Sequence, residues 1–189
     1  MDNLQGNIDE NSPEINVDEE EELEFLKTVV GNEMDETDIK IYQILRDNGR
    51  TTDTELAEKL DLSITTARRR RSKLEEKGYL FIMALLFFHQ TNIAYADCIV
   101  SINSNVPVKK LNDFIEETVS NIRIYEITKY VGKRALLLRF MEKDMESVNQ
   151  YIHNFLMGRE IVEDFDILPA IGTPKAWNRI TDFPERPYD

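Results

Sequence analysis

Residues 51–80 constrain the fold of this chain more than any other stretch, because their capping signals and apolar spacing describe two short helices joined by a tight turn. Thr52 and Glu55 form a capping-box pair that can satisfy two free backbone N–H groups at the start of the first helix. Ser63 is a favourable N-cap for the second helix, and Gly78 suits the left-handed conformation that often follows a helix end. The segment is therefore predicted to be a helix-turn-helix.

Apolar residues are expected to bury one side of each helix. They are Leu56, Ala57 and Leu60 in the first helix and Ile64, Ala67 and Leu74 in the second. The opposite side of the second helix carries small polar and cationic residues, a pattern typical of a helix that enters the major groove of DNA. Arg71 falls within the buried stripe, so its guanidinium must reach solvent or pair with a carboxylate.

We predict that the second helix, over residues 63–77, reads DNA. The candidate DNA-binding residues are Thr52, Ser63, Thr65, Thr66, Arg68, Arg69, Arg70 and Lys73. Arg69, Thr65 and Thr66 are expected to face base edges, and Arg68, Arg70 and Lys73 to meet phosphates. The competing interpretation is a helix pair whose basic face is merely solvated. Four consecutive arginines between these caps favour DNA binding.

The formal net charge of −13 is concentrated at the amino-terminal end. Residues 1–38 hold 14 acidic residues and one lysine, whereas acidic and basic residues balance across the remainder. Residues 39–80 carry ten basic and seven acidic residues. The predicted helix-turn-helix is thus compatible with a polyanionic partner although the whole chain is acidic.

Composition argues against several classes of site. With one cysteine, Cys98, and two histidines, His89 and His153, we expect no internal disulfide, no metal site and no cofactor. The longest apolar run, residues 80–88, falls short of the ~18 residues of a membrane-spanning helix. No secretory signal is recognisable. These features favour the cytoplasm and no membrane partner.

Residues 1–33 are predicted to form an acidic, largely disordered tail with a short helix. Asp18 can cap that helix, Gly31 can end it, and apolar residues at positions 23, 26 and 30 share one face. We favour a solvated, fraying helix over a docked one. The anionic tail is also expected to compete with DNA for the cationic helix, most of all for non-specific DNA.

The rest of the chain is predicted to be α+β. A further helix opens at Asp35 and completes a helix-turn-helix domain over residues 34–80. From residue 81 the spacing predicts strands at 81–88, 94–102, 122–130, 133–140 and 161–171, and helices at 107–119 and 144–158. From residue 94 onward the order is the βαββαβ of a ferredoxin-like α/β sandwich, a domain that we place over residues 81–171. Residues 172–189 are expected to form an irregular tail.

The chain resembles the leucine-responsive/asparagine-operon (Lrp/AsnC) family of regulators. The residues that carry the resemblance are Met34-Asp35, Asp38, Gly49-Arg50, Glu55-Leu56-Ala57, Leu62-Ser63, Arg70, Leu74-Glu75 and Gly78-Tyr79-Leu80. The resemblance implies a winged helix-turn-helix that binds double-stranded DNA, joined to an α/β domain that dimerises and in some members builds tetramers or octamers. In the family that second domain commonly senses amino acids between subunits.

The chain departs from the family pattern at the hairpin of the second domain. Acidic residues usually follow the hairpin glycine, whereas this chain has Gly132-Lys133-Arg134-Ala135. Gly132, Lys133 and Arg134 are candidate effector-binding residues, but an ammonium group would find no carboxylate partner there. Three interpretations are open: the hairpin binds an anionic effector, it binds no effector, or it is simply a solvated tip. We favour the solvated tip.

Two other functions remain open. Siroheme decarboxylases are built on a similar two-part architecture, but they would need acid–base groups beyond His89 and His153, which are ordinary candidates for surface residues. The other alternative is a protein-interaction adaptor that acts through the acidic tail. The sequence favours a sequence-specific transcriptional regulator, not an enzyme.

Overall fold

The computed structural model describes residues 18–86, 88–132, 135–176 and 179–180. The chain divides into two compact units, with the boundary between Leu85 and Leu86. The expected disorder of residues 1–17 and most of the expected irregular tail lie outside the described residues.

The first unit consists of four helices. They are α1 (Glu19–Val30), α2 (Glu36–Asp47), α3 (Asp53–Leu60) and α4 (Ile64–Glu76). The predicted caps are confirmed: Asp35 accepts a hydrogen bond from the Asp38 N–H at 2.9 Å, Thr52 and Glu55 form a capping box, and Ser63 accepts from the Thr66 N–H. Local backbone chemistry thus fixes where α2, α3 and α4 begin.

The core of this unit lies between α2, α3 and α4. Its buried residues are Ile41, Leu45, Leu56, Ala57, Ala67, Leu74 and Leu80. Ile64 was expected inside but is 47% exposed. It lies about 80° around α4 from Leu74, because ten residues at 100° each do not return to the same face. The buried stripe of α4 is therefore narrower than predicted.

Helix α1 packs against α2. Glu22 is only 8% exposed, and its carboxylate accepts hydrogen bonds from Arg46 and, at 3.0 Å, from Gln43 of α2. Lys27 lies 2.8 Å from Glu36, also of α2. The expectation of a solvated, fraying helix is therefore wrong. That expectation rested only on the apolar spacing of α1 and left out the oppositely charged side chains of α2 that pair with it.

The second unit is an antiparallel sheet with two long helices. Its elements are α5 (Phe88–Thr91), β1 (Ala94–Ile102), α6 (Val108–Val119), β2 (Ile124–Lys129), β3 (Leu136–Glu142), α7 (Met145–Leu156), β4 (Val162–Pro169), β5 (Lys175–Ala176) and β6 (Arg179–Ile180). The strand order of the main sheet is β2-β3-β1-β4. The βαββαβ order and the predicted ferredoxin-like α/β sandwich are confirmed. Pro169 ends β4, an edge strand, as expected of a residue that cannot donate to the ladder.

Alternation along the central strands separates two faces of this sheet. Ala96, Cys98 and Val100 of β1 point into a core shared with α6 and α7. Burial raises the pKa of the Cys98 thiol to about 12, which keeps it protonated and unreactive. Tyr95, Asp97 and Ile99 point to the other face. The short helix α5 covers one part of it, with Phe88 packed against Tyr95 and Tyr125, and α6 and α7 leave the rest uncovered.

Helix α6 does not bury all of its apolar residues. Val108 and Val119 are 72% and 69% exposed, whereas Phe114 and Thr118 are buried. The buried hydroxyl of Thr118 donates to the Phe114 carbonyl at 2.6 Å. A threonine satisfied within its own helix can occupy an interior position that apolar spacing alone assigns to valine.

The apolar run over residues 81–88 was predicted to be a buried strand. Residues 81–86 instead form no regular element, and Phe81, Met83 and Leu86 are 83%, 56% and 60% exposed. Phe88 begins a short helix. A short apolar run cannot by itself show whether a neighbouring strand is available to pair with it.

Candidate nucleic-acid interface

The solvent-facing side of α4 carries most of the predicted DNA contacts. Thr65, Arg69 and Lys73 are exposed, at positions four residues apart, so they form one row along the helix. Thr66 is partly buried, and its hydroxyl lies 2.8 Å from that of Ser63. The side that faces away from the α2–α3 core is thus polar and cationic.

The four consecutive arginines of α4 occupy four different environments. Arg68 is 71% exposed and its Nε donates to Asp53 at 3.1 Å. Arg70 and Arg71 are 23% and 27% exposed and are held by carboxylates of the same unit. Within the part of the chain that the structure describes, Arg69 has no carboxylate partner. Arg69 is therefore the arginine whose charge is most available to a ligand.

Arg70 connects α4 to the start of α2. Its Nη1 donates to Asp35 at 2.8 Å and to Asp38 at 2.6 Å, and the Asp38 side chain is only 4% exposed. Burial opposes ionisation of Asp35, yet the Asp38 N–H and the Arg70 guanidinium hold its pKa below the ordinary value. Arg70 was expected to meet a phosphate, but in this structure its guanidinium is occupied inside the domain.

The prediction for Arg71 is confirmed. Its Nε donates to Glu75 at 2.9 Å, and its Nη1 lies 3.4 Å from the Thr51 carbonyl. An arginine in the buried stripe is thus tolerated because its charge is paired and directed towards the start of α3. Arg71 contributes to the joint between the two helices.

Thr52 lies at the beginning of α3, beside α4. Its backbone N–H donates to Glu55 at 2.6 Å and its hydroxyl to the same carboxylate at 2.8 Å. These two hydrogen bonds, the backbone one first, lower the pKa of Glu55. The helix start that a DNA phosphate would approach is therefore rigidly capped.

Comparisons with known proteins place this geometry in context. Residues 34–80, which contain α2, α3 and α4, match the winged helix-turn-helix DNA-binding family. Over 139 residues the chain is 29% identical to the leucine-responsive regulatory protein of Rhizobium meliloti, covering 71% of this chain and 87% of that protein. An AsnC family transcriptional regulator from Agrobacterium tumefaciens is similar with a TM-score of 0.67 at 25% identity, covering 80% of this chain and 97% of that one.

The relatives and structural neighbours of this chain are thus regulators of the Lrp/AsnC type, and residues 34–80 form a winged helix-turn-helix DNA-binding domain. The protein is a DNA-binding transcriptional regulator, and the resemblance found in the sequence is confirmed. Another similar structure is a Neisseria meningitidis transcriptional regulator in complex with L-Met, with a TM-score of 0.67 at 28% identity over 80% of this chain and 96% of that one.

The hairpin between β2 and β3 is where the sequence departs from the pattern of the Lrp/AsnC regulators that it resembles. The Tyr130 N–H donates to the Ala135 carbonyl at 2.7 Å and closes the hairpin. Gly132 has a φ of 131°, a value that side-chain-bearing residues rarely adopt. Lys133 and Arg134 lie outside the described residues, so their proposed effector role stays a prediction.

A charged cluster on the uncovered face of the sheet was not anticipated from the sequence. Arg139 of β3 donates to Glu126 of β2 at 3.0 Å, and its Nε lies 3.4 Å from Asp97 of β1. Burial raises the pKa of Asp97, although Arg139 opposes the rise. The available signal was one charge near the middle of each of three apolar strands, with both signs represented.

The histidines, possible metal ligands and helix lengths of the described part bear on the other function classes. His153 packs edge-on against Phe165, with ring centroids 5.5 Å apart, and the side chain of His89 lies outside the described residues. The described residues contain no cluster of three or more His, Cys, Asp or Glu that could bind a metal. None of the described helices has the length and apolarity needed to cross a bilayer.

Proposed function

We propose that α4 enters the major groove of DNA and reads sequence with Arg69, Thr65 and Thr66. The observation that carries this proposal is the separation of the four arginines, three of which are engaged by carboxylates of the domain while Arg69 projects free of such a partner among the described residues. Arg69 and Thr65 share the exposed row of α4. A guanidinium in that position can form the bidentate contact with guanine that is common in the major groove.

The other candidate residues receive supporting roles in this proposal. Arg68 beside the row and Lys73 at its end are placed to meet phosphates, and Thr52 and Ser63 cap the helix starts next to them. Arg70 is reassigned: its pairs with Asp35 and Asp38 support a role in orienting α4 rather than a phosphate contact. We further propose that the protein acts in the cytoplasm, as a DNA-binding regulator and not as an enzyme.

We also propose that the protein works as a homodimer or a larger assembly built on dimers. The uncovered sheet face carries Ile99 and Leu137 beside the charged cluster, and residues 81–86 expose several large apolar side chains. Exposed apolar side chains of this kind usually mark an interface. A second copy packed sheet against sheet would cover those of the sheet face.

In this proposal the acidic helix α1 makes no direct contact with α4, the DNA-reading helix. Its buried Glu22 is committed to α2, so the competition with DNA expected of the tail is not made by α1 as it lies in the structure. For the hairpin we favour a solvated tip. An effector bound there would be anionic, since Lys133 and Arg134 supply positive charge, in contrast to the zwitterionic L-Met of the Neisseria meningitidis complex.

Substitution of Arg69 tests the reading of DNA. Arg69→Ala is expected to relax base preference at one step by about 1–3 kcal/mol, because a bidentate base contact is lost. The measurement is a selection of preferred duplexes from a random library by the wild-type and variant proteins, followed by titration of the selected duplexes.

Lys73→Ala provides the matched control, since Lys73 lies one turn from Arg69 on the same exposed row. Lys73→Ala should weaken binding to all duplexes alike and reduce the salt slope by about 0.9, the value of one phosphate contact. A uniform loss of affinity in Arg69→Ala, with base preference intact, would assign Arg69 to the backbone instead.

A further inference from the structure

Asp53, the first residue of α3, lies between two arginines of α4. Its Oδ2 accepts a hydrogen bond from Arg68 Nε at 3.1 Å, and its Oδ1 lies 3.6 Å from Arg71 Nη1. The Asp53 side chain is 22% exposed, whereas that of Arg68 is 71% exposed. A sheltered carboxylate thus holds a guanidinium that projects into solvent beside the DNA-reading row.

The two arginines depend on Asp53 to different degrees. Arg71 is also held by Glu75 and by the Thr51 carbonyl, so it would stay in place without Asp53. For Arg68, Asp53 is the one carboxylate partner found in the described ranges of the chain. Removing the Asp53 charge would therefore release Arg68 and leave the joint between α3 and α4 intact.

The position of Asp53 matters because helix N-termini attract anions. Asp53 is the first residue of α3, so its carboxylate places negative charge near a helix start that would otherwise favour a DNA phosphate. Stabilisation of the helix dipole explains an acidic residue in this turn, yet Glu55 already supplies one. The additional feature of Asp53 is its hold on Arg68.

We propose that Asp53 competes with DNA phosphate for Arg68 and so lowers the affinity of α4 for DNA. This inference rests on the proposed reading of DNA by α4. On a preferred site, base contacts hold a phosphate where it displaces Asp53 from Arg68, and breaking this ion pair uses part of the binding free energy. On random DNA, whose affinity depends almost wholly on phosphate contacts, the ion pair prevents this contact.

The test uses the full chain with Asp53→Asn and fluorescence anisotropy at several salt concentrations. One probe is a random-sequence duplex, and the other is the duplex that the wild-type protein selects from a random library. Affinity for the random duplex should rise about 3–10-fold, and its salt slope should steepen by about 0.9, the value of one further phosphate contact. Affinity for the selected duplex should rise by at least as large a factor, because no ion pair has to be broken, while its salt slope should stay at the wild-type value.

Glu58→Gln is the matched control, because it removes one negative charge from the same helix at an exposed position. Its affinity for the random duplex should change by less than about 2-fold, and its salt slope should change by less than about 0.2. Arg68→Ala in the Asp53→Asn background should cancel the gain. Asp53→Ser, which also suits a helix start, repeats the test if the asparagine variant melts early.

Each outcome bears on the proposal. A gain that survives Arg68→Ala, or an equal gain in Glu58→Gln, would show a general charge effect and overturn the role of Asp53. Unchanged affinity in both Asp53 variants would overturn it as well. A wild-type chain that binds neither duplex would instead refute the proposed reading of DNA.

Discussion

Arg139→Asp is expected to convert the protein from a dimer to a monomer at micromolar concentration, with a dissociation constant raised at least about 100-fold. In the proposed dimer the uncovered sheet faces pack against each other, and Arg139 lies on that face between Asp97 and Glu126. All three side chains are only about one-third exposed before any partner is added. The substitution would bury three carboxylates in each copy without a cation.

A two-fold interface makes this charged cluster its own partner. Each residue of one copy meets a residue of the other and is met in return, so one guanidinium per copy can face the carboxylates opposite. Without Arg139, like charges face each other at short range, which costs several kcal/mol.

Complementary exchange separates the charge effect from misfolding. A second variant, Asp97→Lys with Glu126→Lys, makes the cluster wholly basic and should also be monomeric. Mixing it with Arg139→Asp should restore a dimer that contains one copy of each, because the acidic and basic faces now attract. Native mass spectrometry distinguishes this mixed dimer from either variant paired with itself.

Arg123→Asp is the control for this experiment. Arg123 packs over the Tyr151 ring of α7 and pairs with Glu142, so it does not belong to the Asp97–Arg139–Glu126 cluster. It should leave the dimer intact. A dimeric Arg139→Asp protein would place the interface elsewhere, and a monomeric wild type would refute the proposed dimer altogether.

Features encoded by neighbouring residues were predictable from the sequence. The caps at Asp35, Thr52 and Ser63 follow from side chains that bond to backbone within three residues, so they could be predicted without knowledge of the fold. The order of strands and helices followed from the change in apolar period after residue 80. These are short-range signals.

Features that depend on distant pairing were not predictable. Arg70 and Asp35 are 35 residues apart, Arg68 and Asp53 are 15 apart, and no periodicity connects either pair. Four consecutive arginines are visible in the sequence, but nothing in their spacing shows that Arg70 points inward while Arg69 points out. The error at residues 81–86 has the same origin, because strand formation depends on a partner strand that local sequence does not reveal.

Arg70→Met is expected to lower the free energy of unfolding of the first unit by about 2–4 kcal/mol. The substitution preserves much of the side-chain volume but leaves the Asp38 carboxylate, 4% exposed, without its cation. Loss of one partner of a buried pair costs about 3–5 kcal/mol, and the greater exposure of Asp35 reduces that figure here. Hydrogen exchange of α4 amides measures the effect locally, without requiring the two units to unfold together.

Lowering the pH should reveal the contribution of the Arg70–Asp35 pair to stability. The pKa of Asp35 lies below its ordinary value in the folded protein, so its contribution to stability is present at neutral pH and lost as the pH falls through the folded pKa. In Arg70→Met that depression shrinks, because one of its causes is gone, and stability should depend less steeply on pH below about 4. The comparison is of wild-type and variant α4 exchange across that range.

Two further variants decide whether Arg70 is structural. Asp38→Asn in the Arg70→Met background should recover part of the lost stability, because the unpaired buried charge is removed. Arg69→Met, next along the helix but on the exposed row, should stay within about 0.5 kcal/mol of the wild type. Equal stability of Arg70→Met and Arg69→Met would contradict the bracing role, and a loss of DNA affinity without loss of stability would return Arg70 to the set of phosphate contacts.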